Sequence, residues 1–256
     1  LILSWSECMS DVVYYEKPVL LHRDSHRRVK VARSASFAFA RKANSMYLAG
    51  AEFSEAGKEY AIVFTRVNGK KVVPVAMLGL RARENLFVDA QSRWTSTYVP
   101  AFVRRYPFVL SELQGGQLGV CIDEAYTGFN DPSGEPLFDE HGQNTPFLKN
   151  ALTFLEHYQQ EYHRTDMFCQ NLVKAGVLTE MNAKADLVDG RSFTVNGLMV
   201  VDEKKLLALP DATVLSLFRS GELHWISMHL SSLTNLQGLV DKLSARKAAM
   251  APPPKP

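Results

Sequence analysis

The sequence predicts an α+β fold, with an antiparallel β-rich N-terminal half plus helices enclosing a small three-stranded β-meander. Two observations favour this class. Runs of β-branched and aromatic residues flank Asn-Gly and Asp-Gly pairs, which are strong signals for two-residue hairpin turns. After residue 145, apolar residues instead recur at every third or fourth position, as they do on one face of a helix.

The first predicted element is a hairpin centred on Asn68-Gly69, with strands over residues 60–67 and 71–80. Pro74 has no amide hydrogen to donate to a ladder. We therefore expect the second strand to lie at a sheet edge or to be bulged at this position. Further short strands are expected over residues 85–88 and 118–122.

The longest predicted helix starts at Pro146 and ends before Gly176. Thr145 can cap its first turn, proline suits the first helical position, and glycine suits the exit. The span is long enough for a break near residues 163–166. One apolar stripe runs along it and should be buried.

Residues 185–201 predict the meander, because Asp189-Gly190 and Asn196-Gly197 separate three short β-rich runs. Asp202 and Asp211 can each cap a following short helix. Residues 223–243 have a helical period, although their first half could equally form a strand.

Composition predicts one globular domain over residues 9–246, since 46% of the residues are hydrophobic and only 22% are charged. Residues 1–8 are interpreted as sequence upstream of a natural start at Met9, and 247–256 as a disordered proline-rich tail. No uninterrupted apolar run reaches the roughly 18 residues of a membrane span. No signal peptide is recognised, so the expected location is the cytoplasm.

Charge and cysteine content exclude several functional classes. The 29 Lys+Arg residues nearly balance the 27 Asp+Glu residues, unlike the basic surplus of a dedicated nucleic-acid-binding protein, so no nucleic-acid partner is predicted. Cysteines at positions 8, 121 and 169 form no short-spaced pair, which argues against a disulfide scaffold or a cysteine zinc site. No cofactor, metal ligand or catalytic residue is assigned.

His22 and Asp24 match the first two ligands of a His-x-Asp iron triad. Such ligands need a rigid strand scaffold, and this pair precedes every predicted strand. A solvated turn is therefore the favoured interpretation.

Residues 81–108 carry the candidate ligand site, because arginines and aromatic residues alternate there. A guanidinium is a planar fork for carboxylate or phosphate and also stacks on aromatic rings. The candidate ligand-binding residues are Arg81, Arg83, Glu84, Asn85, Trp94, Tyr98, Arg104, Arg105 and Tyr106. A buried aromatic core with arginines at its rim explains the composition equally well. If the first interpretation holds, alanine at Arg104 and Arg105 should weaken ligand capture and leave the fold intact.

The same region contains Leu-Gly-Leu-Arg-Ala-Arg-Glu-Asn at 78–85 and Arg-Arg-Tyr-Pro-Phe at 104–108. Together with segments at 50–53, 136–139, 145–148 and 229–233, these motifs resemble the bacterial SapC family over nearly the whole chain, from about Tyr15 to Leu243. The resemblance implies an association with a paracrystalline surface layer, or an accessory role beside outer-membrane receptors and halogenase-like enzymes. It implies no catalytic residues, and it does not extend to the similarly named peptide-transporter permease.

The leading hypothesis is a non-catalytic binding or accessory protein linked to the cell envelope or surface layer. It would use an Arg/aromatic contact surface to bind an anionic or aromatic small molecule or a protein partner. One alternative is an enzyme that modifies a peptide, sugar or aromatic substrate, in one version with iron at His22 and Asp24. The other is a structural surface-layer subunit, which predicts ordered self-assembly.

Overall fold

A computed structural model of the chain describes residues 14–32, 36–67, 69–113, 118–186 and 192–250. The strands are β1 (Pro18–Leu20), β2 (Lys30–Val31), β3 (Ser45–Tyr47), β4 (Ile62–Val67), β5 (Lys71–Met77), β6 (Phe108–Glu112), β7 (Leu118–Asp123), β8 (Glu135–Pro136), β9 (Leu178–Asp186) and β10 (Ser192–Val201). The α-helices are α1 (Phe53–Ala56), α2 (Ala101–Arg104), α3 (Pro146–Ala175), α4 (Glu203–Leu207), α5 (Asp211–Arg219), α6 (Glu222–Ser232) and α7 (Asn235–Met250). The predicted α+β class with antiparallel sheets is confirmed.

The chain divides into two compact units, each made of several segments. The first unit comprises Leu1–Arg41, Val88–Trp94 and Ala101–Tyr162; the second comprises Lys42–Phe87, Thr95–Pro100 and His163–Pro256. The single domain expected over residues 9–246 stays a prediction.

The first unit is built on an antiparallel sheet of order β1-β7-β6, beside the short β2–β8 pair. Apolar residues of the sheet and of the first turns of α3 form its core, because alternate strand positions and every third or fourth helix position face inward. The fully buried members include Ile122, Leu137, Leu148 and Leu155.

The second unit is built on an antiparallel sheet of order β3-β5-β4-β10-β9. Phe64 of β4 contacts the ring of Phe168 on α3 (centroids 6.1 Å apart) and of His229 on α6 (4.9 Å). These helices therefore cover an apolar face of the sheet. Phe64 and Phe168 are fully buried.

The prediction for α3 is confirmed at both ends. The Thr145 hydroxyl accepts from the Leu148 N–H at 3.3 Å, and Gly176 follows the helix with φ of +67°, a backbone conformation that glycine adopts without steric cost. No break interrupts the helix near residues 163–166. Its first part belongs to the first unit and its last part to the second.

The hairpin of β4 and β5 is confirmed, with Gly69 at φ +68°; Asn68 lies outside the described residues. The expectation that β5 is an edge strand or bulged at Pro74 is wrong, because β5 lies between β3 and β4 in regular register. The β3 ladder stops at the Tyr47–Val75 pair, and the Pro74 carbonyl accepts from the Leu48 N–H at 3.2 Å. In an antiparallel strand, the backbone nitrogen and carbonyl of one residue point towards the same neighbouring strand. The Pro74 nitrogen, which has no hydrogen to donate, therefore points to the β3 side just beyond the last residue pair of that ladder.

The three-stranded meander is wrong in its strand count. β10 runs without reversal through Asn196-Gly197, where its register with β9 shifts between Val195 and Leu198. Gly197 has φ of +77°, so this pair forms a bulge and not a turn. Leu198 and Met199 also pair with β4, and this second ladder holds the strand extended. Asp189-Gly190 lies outside the described residues.

The C-terminal region over residues 223–243 is helical apart from Leu233 and Thr234 between α6 and α7. The predicted cap at Asp211 is wrong, because Asp211 is the first residue of α5 and Pro210 precedes it as the N-cap. Asp202 caps α4 by accepting from the N–H groups of Lys204 and Lys205, and the segment that could have been a strand is α6. The strand expected over residues 85–88 is wrong, because Asn85 has no regular structure, Leu86 and Phe87 lie in a turn, and Val88 makes an isolated bridge to Trp94.

Both predicted end segments fall largely outside the described residues: all of residues 1–8, and 251–256 beyond the end of α7. Within the described ranges, no helix combines the length and apolar character needed to cross a membrane.

Candidate functional site

The sequence-predicted ligand residues are divided between the two units. Those in the first unit are Trp94, Arg104, Arg105 and Tyr106, and those in the second are Arg81, Arg83, Glu84, Asn85 and Tyr98. Each group has its own geometry.

Arg105 follows α2 and is buried, with 4% of its surface exposed. Its guanidinium carbon lies 4.1 Å from the ring centre of Phe102 and 4.9 Å from that of Tyr158. Its Nε donates to the Tyr15 hydroxyl at 3.1 Å, while Nη2 has no hydrogen-bond partner among the described residues. Ring faces, and no carboxylate of the described chain, therefore surround this buried cation.

Tyr14, which interacts electrostatically with Arg105, does not supply a compensating negative charge. Burial raises the pKa of Tyr14 well above its usual range, and the attraction of Arg105 offsets this only in part. A neutral phenol at this position leaves the arginine with its full charge.

Tyr106 is held by the buried carboxylate of Asp123. Its hydroxyl donates to Asp123 Oδ2 at 3.1 Å, and burial followed by the charge of Asp123 raises its pKa above the usual range. The N–H groups of Glu16 and Lys17 also donate to this carboxylate, at 3.0 and 2.8 Å. Tyr106 thus has a fixed orientation while its ring is only half-buried.

The Tyr106 ring belongs to a continuous line of half-buried aromatic side chains in the first unit, which we call the aromatic row. Its members in order of contact are Trp94, Phe37, Phe39, Tyr106, Tyr126 and Phe129. Successive ring centres lie 5.6, 6.4, 3.9, 5.3 and 5.2 Å apart. Phe39 and Tyr106 are stacked with an interplanar angle of 14°, whereas Tyr126 meets both of its neighbours edge-on.

A tight loop presents Trp94 at one end of the row. Asp89 Oδ1 accepts from the Arg93 N–H at 2.8 Å, and its other oxygen pairs with the Arg93 guanidinium at 2.8 Å. Arg41 Nη2 donates to the Ser92 hydroxyl at 2.7 Å and to the carbonyl of Asp89 at 3.2 Å. These bonds fix the loop before any ligand arrives.

Arg104 differs from Arg105 in being exposed. It projects from the end of α2, and its guanidinium carbon lies 5.3 Å from the ring centre of Phe154 on α3. Its side chain is therefore in contact with solvent.

In the second unit, Arg81, Glu84 and Asn85 are engaged in one turn. Arg81 Nε donates to Glu84 Oε2 at 3.0 Å, and a second bond joins Arg81 Nη2 to the other oxygen. Asn85 Oδ1 accepts from the Phe87 N–H at 2.8 Å, and the Asn85 carbonyl accepts from Arg246 Nη1 at 2.8 Å. A side chain at Gly79 would place its Cβ 2.2 Å from the Glu84 carbonyl oxygen, so the turn closes only over glycine.

Arg83 and Tyr98 complete the second group. Arg83 is exposed, with a left-handed φ of 60°. The Tyr98 hydroxyl donates to Glu52 Oε1 at 2.8 Å, and its N–H donates to Glu59 Oε1 at 2.8 Å. Tyr98 is therefore anchored at both ends.

A family model described as SapC matches residues 21–239, which include every candidate residue above and the whole aromatic row. The chain belongs to the SapC family. The resemblance stated from the sequence is thereby confirmed. No curated protein matches this SapC chain, and no solved structure does.

The two residues considered as iron ligands in this SapC protein, His22 and Asp24, have exposed side chains. His22 Nδ1 lies 3.8 Å from Asp24 Oδ2, and the two side chains are 59% and 84% exposed. His22 Nδ1 also accepts from the Asp24 N–H at 3.3 Å. In the described ranges, no group of three or more His, Cys, Asp or Glu residues could hold a metal ion.

Sequence reasoning found Trp94 and Tyr106 but missed Phe37, Phe39, Tyr126 and Phe129, which continue the row. The missed residues lie on other segments of the chain, and only tertiary packing brings them to Tyr106. The local sequence signal for these missed residues was the close spacing of Phe37 and Phe39 within a basic segment.

Proposed function

We propose that this SapC protein is a non-catalytic binding or accessory protein that acts at the cell envelope or surface layer. It captures its partner through a contact surface on the first unit, made of the aromatic row and the exposed Arg104. The observation that carries the proposal is the unbroken chain of half-buried rings from Trp94 to Phe129.

Rings that remain partly open to solvent are suited to recognition. Aromatic side chains bring a large contact area with few rotatable bonds, and they are enriched in the central parts of protein interfaces. In the row, hydroxyl bonds fix two of the rings: Tyr106 donates to Asp123, and Tyr126 donates to the Ala32 carbonyl at 2.6 Å. A partner therefore meets a surface that loses little conformational freedom on binding.

The chemistry of the surface favours a partner that carries both a flat aromatic or apolar group and an anionic one. Ring faces and edges contact the aromatic or apolar group, and the Arg104 guanidinium binds a carboxylate or phosphate. Arg83 is the other exposed arginine of the predicted set. The other predicted residues have a structural role in this proposal, each stabilising its own unit: Arg81, Glu84, Asn85, Tyr98 and Arg105.

Co-sedimentation with a washed cell-envelope fraction tests this proposal. Trp94→Ala and Phe39→Ala should each weaken binding about tenfold, the effect of a central aromatic contact. Phe218→Ala is the matched control, because Phe218 is an aromatic residue outside the row and is 68% exposed. Equal binding by all three variants and the parent protein would refute the contact surface.

Two measurements separate this proposal from its rivals. Stoichiometric iron in the purified protein, lost in His22→Ala, would favour an iron-dependent enzyme. Ordered arrays in electron micrographs of the purified protein would favour a structural surface-layer subunit.

A further inference from the structure

The second unit contains a groove between the β4–β5 hairpin and the last turns of α3, with a volume of about 320 Å³. This is near the lower end of the roughly 300–1,000 Å³ range typical of ligand pockets. We call it the lysine groove, after Lys70, Lys71 and Lys174 in its lining. It shares no residue with the proposed contact surface.

The inner part of the lysine groove is apolar. Val72 and Cys169 are 5% and 2% exposed, and Val173 contributes a side chain that is 48% exposed. Burial raises the pKa of the Cys169 thiol to about 12, so the sulfur is uncharged and packs as an apolar group. A hydrocarbon group seated here would cover Val173 and gain the free energy of apolar burial.

The charges at the groove are unbalanced. Its carboxylate, Asp166, already has a partner on each oxygen: Lys71 Nζ lies 2.9 Å from Oδ1, and Gln170 Nε2 donates to Oδ2 at 3.1 Å. Lys70 and Lys174 are exposed, and neither forms an ion pair with another described residue. Among the described residues that line the groove, three lysines therefore accompany one carboxylate, which is already engaged.

We propose that the lysine groove binds a small amphiphilic carboxylate. Its hydrocarbon part packs on Val72 and Val173, and its anionic end pairs with Lys70 and Lys174. Charge complementarity selects this class, because a neutral amphiphile leaves both ammonium groups without a partner and a cationic one is repelled by them.

Octanoate is the probe. The control ligands are 1-octanol, which lacks the charge, and acetate, which lacks the hydrocarbon tail. In isothermal titration with the full chain, octanoate should bind saturably, and the two controls should bind at least tenfold more weakly. Amide chemical shifts should move at residues 70–73 and 169–174. Raising the salt concentration should weaken octanoate binding, because exposed charges are screened.

The double variant K70Q/K174Q should bind octanoate about tenfold more weakly, from two exposed ion pairs that each contribute two- to fivefold. K149Q is the matched control, since Lys149 is an exposed lysine of the same helix in the first unit. It should bind as the parent does. Both changes are at exposed side chains, so the circular dichroism spectra should be unchanged.

Several outcomes overturn the proposal. These are the absence of saturable octanoate binding, equal affinity for 1-octanol, an unchanged affinity in K70Q/K174Q, or shift changes confined to other residues. Capture by phosphatidylglycerol vesicles without binding of free octanoate also overturns it, because the ligand would then be a lipid surface.

Discussion

Arg105 is a buried charge that, in the part of the chain that the structure describes, is surrounded by aromatic rings and has no carboxylate partner. Phe102, Tyr15 and Tyr158 present their faces to the guanidinium, and the Tyr15 hydroxyl accepts a hydrogen bond from its Nε. Cation–π contacts are strongest where water is excluded, as it is at this position. The neighbouring Arg104 is exposed and contacts the ring of Phe154.

Replacing these two arginines by alanine should therefore give different results. Arg105→Ala leaves a void among the rings and removes one hydrogen-bond partner of Tyr15, so we expect the free energy of unfolding to fall by about 2–4 kcal/mol. Arg104→Ala should change it by less than about 1 kcal/mol. Urea unfolding of both variants measures the difference. Equal stability would show that Arg105 is not a packing residue, in line with the expectation from sequence that its loss leaves the fold intact.

The buried His229 should make the folded protein less stable in mild acid. This side chain is fully buried; Nδ1 donates to the Ile62 carbonyl at 2.8 Å, and Nε2 accepts from the Val201 N–H at 3.1 Å. Burial lowers its pKa to about 4, against about 6.5 for an unfolded histidine. As the pH falls from 6.5 towards 4, the unfolded chain takes up a proton that the folded chain does not, so stability is lost by up to about 3 kcal/mol.

Urea midpoints between pH 7 and 4.5 measure this effect. His229→Gln, which cannot titrate, should flatten the pH dependence whatever its own stability is. His224→Gln should retain it, because His224 is exposed and bonded to the Ser54 hydroxyl. An unchanged pH dependence in His229→Gln would assign the effect to other groups.

At the scale of the elements, Gly50 approaches α6 at a distance that only a residue without a side chain allows. A Cβ at Gly50 would lie 2.5–2.7 Å from ring atoms of Trp225, whose own exposure is 5%. Phe53 and Phe168 pack around that indole, and the Gly50 N–H donates to the Thr165 hydroxyl at 2.9 Å. Neither the ring nor the backbone has room to move.

Gly50→Ala should therefore lower the free energy of unfolding by about 1–3 kcal/mol through overpacking. The control is Gly238→Ala on α7, where an added Cβ meets nothing within 4 Å. There the higher helix propensity of alanine should stabilise the protein by about 0.5–1 kcal/mol. Opposite shifts of the two thermal midpoints are expected, and shifts of the same sign would contradict the packing argument.

At the scale of the whole molecule, α3 supplies side chains to both units. Leu148 and Leu155 lie in the core of the first unit, and Phe168 and Leu172 are buried in the second. A half-helix released from its core is marginal in water, since most helical stability comes from tertiary packing. Unfolding of one unit should therefore remove part of the support of the other.

We consequently expect a single cooperative transition in urea, as the one-domain prediction over residues 9–246 requires. Far-ultraviolet circular dichroism and tryptophan fluorescence should give coincident curves. Two separated transitions would show that the units are independent domains.

How far the sequence predicts the structure depends on whether one residue dictates the local backbone. Thr145, Pro146 and Gly176 set the ends of α3, and the sequence predicts them correctly. Asn196-Gly197 permits either a turn or a bulge, and pairing of β10 with β4 selects the bulge. A local pattern carries no information on that distant ladder.

The same distinction holds for the candidate site. The alternation of arginine and aromatic residues identifies Trp94, Arg104 and Tyr106 from the sequence alone. It does not tell which arginines stay exposed: Arg81 pairs with Glu84 and Arg105 is enclosed by rings, and both outcomes depend on tertiary neighbours. Nor does it place Phe39 on Tyr106, a contact between segments far apart in the chain.

The placement of Trp94 and Trp225 gives each unit an optical reporter of its own. Trp94 is half-buried at the end of the aromatic row, whereas Trp225 is enclosed beneath the guanidinium of Arg164, which lies 4.6 Å from its ring centre. Acrylamide should quench the emission of Trp94 far more than that of Trp225. With Trp5 replaced by phenylalanine, occupancy of the row can then be followed from intrinsic emission, without attaching a dye.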